Sequence, residues 1–140
     1  MIPGCEIKLL ITDFDGTLVD TFRANYMAYR KAFDEVGLVL CETDYRCCFG
    51  YRFEKFMEVC GVTDEKKAAE IKELKSFYYP DYFKYLQVND VLLRLLLTFK
   101  KGGGKIAVAS TARRKNLDNV LRYIGVVDNF DYILAGEDVE

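Results

Sequence analysis

Asp13 and Asp15 stand one residue apart, and Gly16, Thr17, Leu18, Val19 and Asp20 follow at once. Two carboxylates at this spacing can divide two jobs. One can attack phosphorus as a nucleophile and form an aspartyl-phosphate. The other can protonate the leaving oxygen and later activate water. Phe14 alternates to the opposite side and separates the two acids in direction. Gly16 permits an unusual backbone angle or a close approach of ligand to backbone. The amides of such a turn, at Gly16 and Thr17, can hold phosphate oxygens. Two anions facing an anionic phosphate also need a cation. Oxygen ligands and phosphate chemistry favour Mg²⁺, with Asp13 and Asp15 as its protein ligands. The plain alternative is an Asp-Gly turn with an acidic flank.

A second pair of candidate residues is Ser110-Thr111. A hydroxyl beside the free amides of a helix N-terminus is a phosphate-binding arrangement. An ordinary N-cap uses the same residue types, so the position in the fold has to decide between them.

Elements must place these groups. Ile7 to Thr12 is an apolar run and reads as a buried parallel strand. Asp13 and Asp15 then sit beyond its carboxyl end, where open α/β sheets place their ligands. Thr21 to Gly37 carries Phe22, Tyr26, Tyr29, Phe33 and Val36 on one stripe of an amphipathic helix. Cys41 to Phe49 reads as irregular. Tyr51 to Cys60 is helical, with Phe53, Phe56, Met57 and Cys60 on one face. Thr63 is the expected cap of a further helix that turns Ile71, Leu74 and Tyr78 inward and ends at Pro80. Its Lys and Glu residues read as a solvated face. Val91 to Lys100 is apolar nearly all round and reads as a buried helix, capped by Asn89 or Asp90. Lys105 to Ser110 is a second strand, Ala112 to Ile124 a helix, and Phe130 to Ala135 a third strand. The order is strand, ~75 residues of helices, strand, helix, strand, which reads as a small α/β core with a helical insertion after the first strand.

Composition narrows the chemistry. The 140 residues contain no histidine, which removes Ser-His and Cys-His nucleophile pairs and His-metal sites. A net charge of −2 gives no basic footprint for nucleic acid. No uncharged apolar run of ~18 residues suggests a membrane span. Met1 to Cys5 lacks the shape of a signal peptide, so a cytoplasmic protein is expected. Cys5, Cys41, Cys47, Cys48 and Cys60 read as reduced, partly buried thiols. A zinc site from the last four is the alternative.

Asp13-Phe14-Asp15-Gly16-Thr17-Leu18-Val19-Asp20-Thr21 resembles the first motif of the haloacid dehalogenase-like hydrolases. The resemblance implies a Rossmann-like parallel sheet, here its N-terminal part, with a helical cap inserted after the first strand. Residues 1–20 and 88–140 would form the core and 21–87 the cap, a mobile lid that chooses the substrate. It implies Asp13 as nucleophile and Asp15 as acid/base, with the Asp15 backbone carbonyl lent to Mg²⁺. Members with the second Asp are mostly phosphatases and phosphomutases; the dehalogenases lack it. Ser110 matches the Ser/Thr of the second motif, with Thr111 its neighbour. Arg52, in a cap segment opened by Gly50, could reach a second charged group on a substrate. Lys55 lies on the same helix without a sign of desolvation.

The family pattern also has a lysine beyond the third strand and one or two acids after the fourth. Residues 136–140 lie just short of where the lysine is expected. Glu137 and Asp138 follow the third strand and fit the segment before the lysine, so they are not assigned to the metal. Without later strands the first strand becomes an exposed apolar edge, which invites pairing. The chain then reads as a fragment, a truncated reading frame or a subunit that pairs, with a homodimer through that edge as one form.

The expected function is a Mg²⁺-dependent phosphatase of a small phosphorylated metabolite acting through an aspartyl-phosphate. The alternatives are a phosphomutase of the β-phosphoglucomutase type and a truncated, non-catalytic binding or assembly module. The sequence does not give the substrate.

Overall fold

The computed structural model describes residues 6–138. The expectation for Cys5 lies outside them. The chain runs β1 (Leu9–Asp13), β2 (Val19–Asp20), α1 (Phe22–Glu35), α2 (Glu42–Cys48), α3 (Phe53–Val59), α4 (Glu65–Tyr78), a 3₁₀ segment (Tyr79–Tyr85), β3 (Gln87–Val88), α5 (Asp90–Lys101), β4 (Lys105–Ala109), α6 (Arg114–Tyr123) and β5 (Tyr132–Leu134).

β1, β4 and β5 form a parallel sheet in the order β1-β4-β5. The register sets Asp13 opposite Ala109, so the acidic turn and Ser110 leave the sheet side by side. Ile106 and Val108 face a core with Phe14, Leu18, Leu117 and Leu121. The opposite face is open, with Leu9 40% and Ile11 61% exposed. β1 is therefore half-buried rather than buried: among the described residues its Leu9 and Ile11 face is largely uncovered, and it has a strand on one side only. It is the exposed apolar edge expected from the sequence.

A second cluster joins the helices after β1. Phe33 and Tyr26 of α1 meet Tyr45 and Cys48 of α2, Phe56 and Met57 of α3, and Ile71 of α4. The aromatic stripe of α1 stacks here, with Tyr29 and Phe56 edge to face at 4.9 Å. The division into two packing units is not sharp at residue 87, since Ala24, Ala28, Tyr79 and Phe83 pack in the first cluster.

Four local expectations are corrected. Residues 42–48 are a helix, with Glu42 and Asp44 in the first turn and Arg46 in the last, charges that suit the helix dipole. The cap of α4 is Asp64, whose carboxylate accepts from the amides of Lys66 and Lys67. The charged residues of α4 are not all solvated, because Lys75 is 4% exposed. α5 buries Leu96 but leaves Val91 73% and Leu95 59% exposed, because it lies against one face of the sheet with its outer side open. Asn89 caps α5 by accepting from the Leu92 amide.

Candidate active site

The turn after β1 is built by Phe14. Its side chain is 1% exposed and anchors the turn in the core. Its carbonyl accepts from the amides of Thr17, Leu18 and Val19. Gly16 sits at φ +80, a region that favours glycine, and its amide donates to the Val19 carbonyl at 2.9 Å. The Gly16 and Thr17 amides are thus engaged inside the turn. The Phe14 amide donates to Asp13 Oδ1 at 3.0 Å. That leaves the Asp15 amide as the turn donor without a partner among the described residues.

Asp13 is exposed at the end of β1, whereas Asp15 is half-buried. Two hydroxyls hold the Asp15 carboxylate. Thr21 Oγ1 donates to Oδ1 at 2.7 Å, and Ser110 Oγ donates to Oδ2 at 2.6 Å. Thr21 is fully buried at the start of α1. Ser110 is positioned by its own amide, which donates to the Leu134 carbonyl, and by the Ala112 amide, which donates to its Oγ. Asp15 and Ser110 are therefore brought together. In the sequence Thr21 is only the last residue of a motif, and its signal is a hydroxyl six residues after an acid.

A cavity of about 400 Å³ opens above Asp15, a size suited to a small ligand. Asp15, Thr111 and Arg52 line it, while Asp13, Gly16, Thr17 and Ser110 stand outside its lining. Aromatic side chains, among them Tyr29, Tyr45 and Phe49, form much of its wall.

Two arginines cross from one side of the cavity to the other. Arg52 Nη2 donates to the Gly136 carbonyl at 3.1 Å. Arg113, at the start of α6, donates to Glu73 Oε1 at 2.8 Å and to Ser76 Oγ at 3.2 Å on α4. Its hydrogen bond and positive charge hold the Glu73 carboxyl below its ordinary range. Arg113 is thus a bridge from α6 to α4. Glu137 accepts from the Arg114 amide and Asp138 from the Ala135 amide, so both serve the start of α6 and the loop after β5. Gly136 packs against this loop so closely that a Cβ would meet the Thr111 carbonyl at 2.4 Å.

Lys75 reaches the same cavity from α4. Its Nζ lies 3.8 Å from the centroid of the Tyr79 ring and 5.0 Å from that of Tyr29. Burial pulls its pKa down to about 7; the Asp15 charge opposes that shift and Arg113 adds to it. Burial likewise pushes the Tyr29 phenol up. Asn116 on α6 also lines the cavity and is 5% exposed, and its Oδ1 has no hydrogen-bond partner among the described residues. Neither Lys75 nor Asn116 belongs to a recognisable motif, and only packing reveals them.

Cys41, Cys47, Cys48 and Cys60 are free thiols. No group of three or more His, Cys, Asp or Glu residues able to hold a metal occurs among the described residues. No helix of the described residues is long and apolar enough to cross a membrane.

Comparisons with known proteins bear on the fold and the family. YhcW of Bacillus subtilis, named for a conjectured phosphatase activity, is 30% identical over 139 residues, covering 96% of this chain and 62% of that protein. The tyrosine-protein kinase PtkA of Mycobacterium tuberculosis is 25% identical over 135 residues, covering 96% of this chain and 46% of PtkA. The crystal structure of β-phosphoglucomutase from Clostridium difficile superposes with a TM-score of 0.76 at 25% identity, covering 96% of this chain and 64% of that one. The chain thus spans less than two thirds of each of these relatives. The names differ in activity, which is a reminder that a fold hosts several chemistries. The profile of one family matches residues 10–140, and the chain belongs to it, the haloacid dehalogenase-like hydrolases.

Proposed function

We propose that this chain carries the nucleophile and acid/base half of a Mg²⁺-dependent phosphatase acting on a small phosphorylated metabolite. The observation that carries the reading is the Ser110–Asp15 hydrogen bond beside Asp13, which joins both motifs at the carboxyl end of the sheet. Family membership supports hydrolase chemistry. Asp13 attacks phosphorus, and the bond from phosphorus to the ester oxygen breaks. Asp15 gives that oxygen a proton and then takes one from the water that cleaves the aspartyl-phosphate.

Ser110 has one hydroxyl proton, and it points to Asp15. A phosphate oxygen arriving at Ser110 competes for that proton and releases Asp15 Oδ2 for proton transfer. The Asp15 amide is the turn donor open to a second phosphate oxygen. Thr111 and Arg52 border the cavity on the side where the rest of the substrate would lie.

The donor set suits Mg²⁺ in part through its carboxylates and in part through substrate. Mg²⁺ accepts one or two protein carboxylates together with phosphate oxygens and water. Asp13 would give its carboxylate. Asp15, whose carboxylate oxygens are engaged, would give its backbone carbonyl. The ion would neutralise charge on the phosphate.

Residues 21–87 act as the cap in this reading, with Arg52 and Arg113 holding it against the core. The open edge of β1 is the surface through which a second copy would pair.

The test is phosphate release from an aryl phosphate with and without Mg²⁺, beside Asp13→Asn. Metal-dependent release lost in the variant supports the reading, and no release above the variant contradicts it. With a sugar phosphate as substrate, an isomerised product in place of free phosphate would mark a phosphomutase.

A further inference from the structure

A buried cation with no ion-pair partner is costly, and proteins rarely keep one without a use. Lys75 is such a group. It is 4% exposed, and its ammonium has no hydrogen bond or ion pair among the described residues. Its contacts are the faces of two aromatic rings, Tyr29 from α1 and Tyr79 from the 3₁₀ segment. Such faces attract an ammonium but satisfy none of its three donors. Two other cations of the cavity have polar partners: Arg113 pairs with Glu73, and Arg52 donates to the Gly136 carbonyl. Lys72 also meets only a ring, that of Phe53, but it is half-buried rather than buried. Lys75 is therefore the buried charge left for a ligand on the α4 side of the cavity.

We propose that Lys75 is a substrate-binding residue, its ammonium taking an anionic oxygen of the molecule that enters the cavity. The inference rests on the phosphatase reading only in calling that molecule the substrate. The oxygen can belong to the phosphoryl group or to a second anionic group on the same molecule. A bound anion favours the charged amine, so the bound state takes up a proton where the free amine is neutral. The groups that face Lys75 and set its charge are Asp15 from the turn after β1, Arg113 from α6, and the rings of Tyr29 and Tyr79.

Calorimetric titration tests this without requiring turnover. The probes are inorganic phosphate, an alkyl phosphate and an alkyl phosphate carrying a terminal carboxylate, each added to the wild-type chain and to Lys75→Met. Methionine keeps an apolar stem between the two rings, and thermal unfolding checks that the variant is folded. Lys75→Gln gives a second, polar and uncharged variant. The expected loss of affinity is roughly tenfold to a hundredfold in both variants, the range for a charge-assisted hydrogen bond. An equal loss for all three probes assigns the phosphoryl oxygens. A loss confined to the carboxylated probe assigns a second anion. Wild-type binding above neutral pH should also take up a proton that Lys75→Met does not, measured in buffers of different ionisation heat. Unchanged affinities and unchanged proton uptake in folded variants would overturn the proposal, whether or not the chain turns over substrate. Intact binding without phosphate release would instead count against the phosphatase reading alone.

Discussion

Ser110 Oγ donates a 2.6 Å hydrogen bond to Oδ2 of Asp15, across 95 residues of sequence. It ties the loop after β4 to the turn after β1. Ser110→Ala removes a hydrogen bond to an ionisable group, worth roughly 1.5–3 kcal/mol. We expect kcat/KM to fall by about tenfold to a hundredfold. Steady-state kinetics on an aryl phosphate, with Ser110→Thr as the rescue, would check this.

Thr21 holds the other oxygen of the same carboxylate while being fully buried. Thr21→Val keeps the shape and deletes the donor. It should lower unfolding free energy by about 1–3 kcal/mol, because Asp15 loses a partner in a partly buried place. Thr21→Ser should recover most of that loss in urea denaturation.

Lys75 makes stability depend on pH with a definite sign. Its pKa is about 7 when folded, against an ordinary value near 10.4 in the unfolded chain. Below about pH 7 both states hold the proton and the cost of the buried charge is complete. Between the two values the unfolded chain binds more protons, so stability rises with pH. Lys75→Met should therefore be more stable than wild type at pH 6, by a few kcal/mol in order of magnitude. The difference should shrink as pH climbs toward 10. Denaturation curves for both proteins at several pH values read this directly.

The Arg113–Glu73 pair joins α6 to α4 at 2.8 Å. Because Glu73 is held below its ordinary range by Arg113, the contact is present above the carboxylate range and lost as pH falls through it. Arg113→Ala should raise amide hydrogen exchange along the C-terminal half of α4 at neutral pH. In acid, where Glu73 is protonated, wild type and variant should exchange more alike.

Gly136 has no room for a side chain. A Cβ there would lie 2.4 Å from the Thr111 carbonyl and 3.2 Å from that of Ala112, both backbone atoms. Gly136→Ala should cost about 1–3 kcal/mol, as overpacking commonly does. It should also disturb the Arg52 contact, seen as weaker ligand binding in titration.

The sequence made much of this fold legible where period and chemistry coincide. The α1 stripe from Phe22 to Phe33 and the β4 run from Lys105 to Ala109 fall where periodicity predicts them. α2 escaped because it buries only Tyr45 and Cys48, too few residues to show a period. α5 misled because apolar content says nothing of which neighbours are present to cover it. Asp13, Asp15 and Ser110 were legible as motif residues at strand ends. Lys75 was not, because a lysine in a charged helix reads as solvated until Tyr29 and Tyr79 close over it. The Arg113 bridge is likewise silent in the sequence, since its partners on α4 lie about forty residues away.

The most direct measurement is the site of covalent phosphorylation. The protein would be mixed with Mg²⁺ and an aryl phosphate, quenched in acid and mapped by peptide mass spectrometry. The account predicts one phosphoryl group on Asp13, absent in Asp13→Asn and longer-lived in Asp15→Asn. Phosphate release that persists in Asp13→Asn, or a phosphoryl group on any other residue, would contradict it.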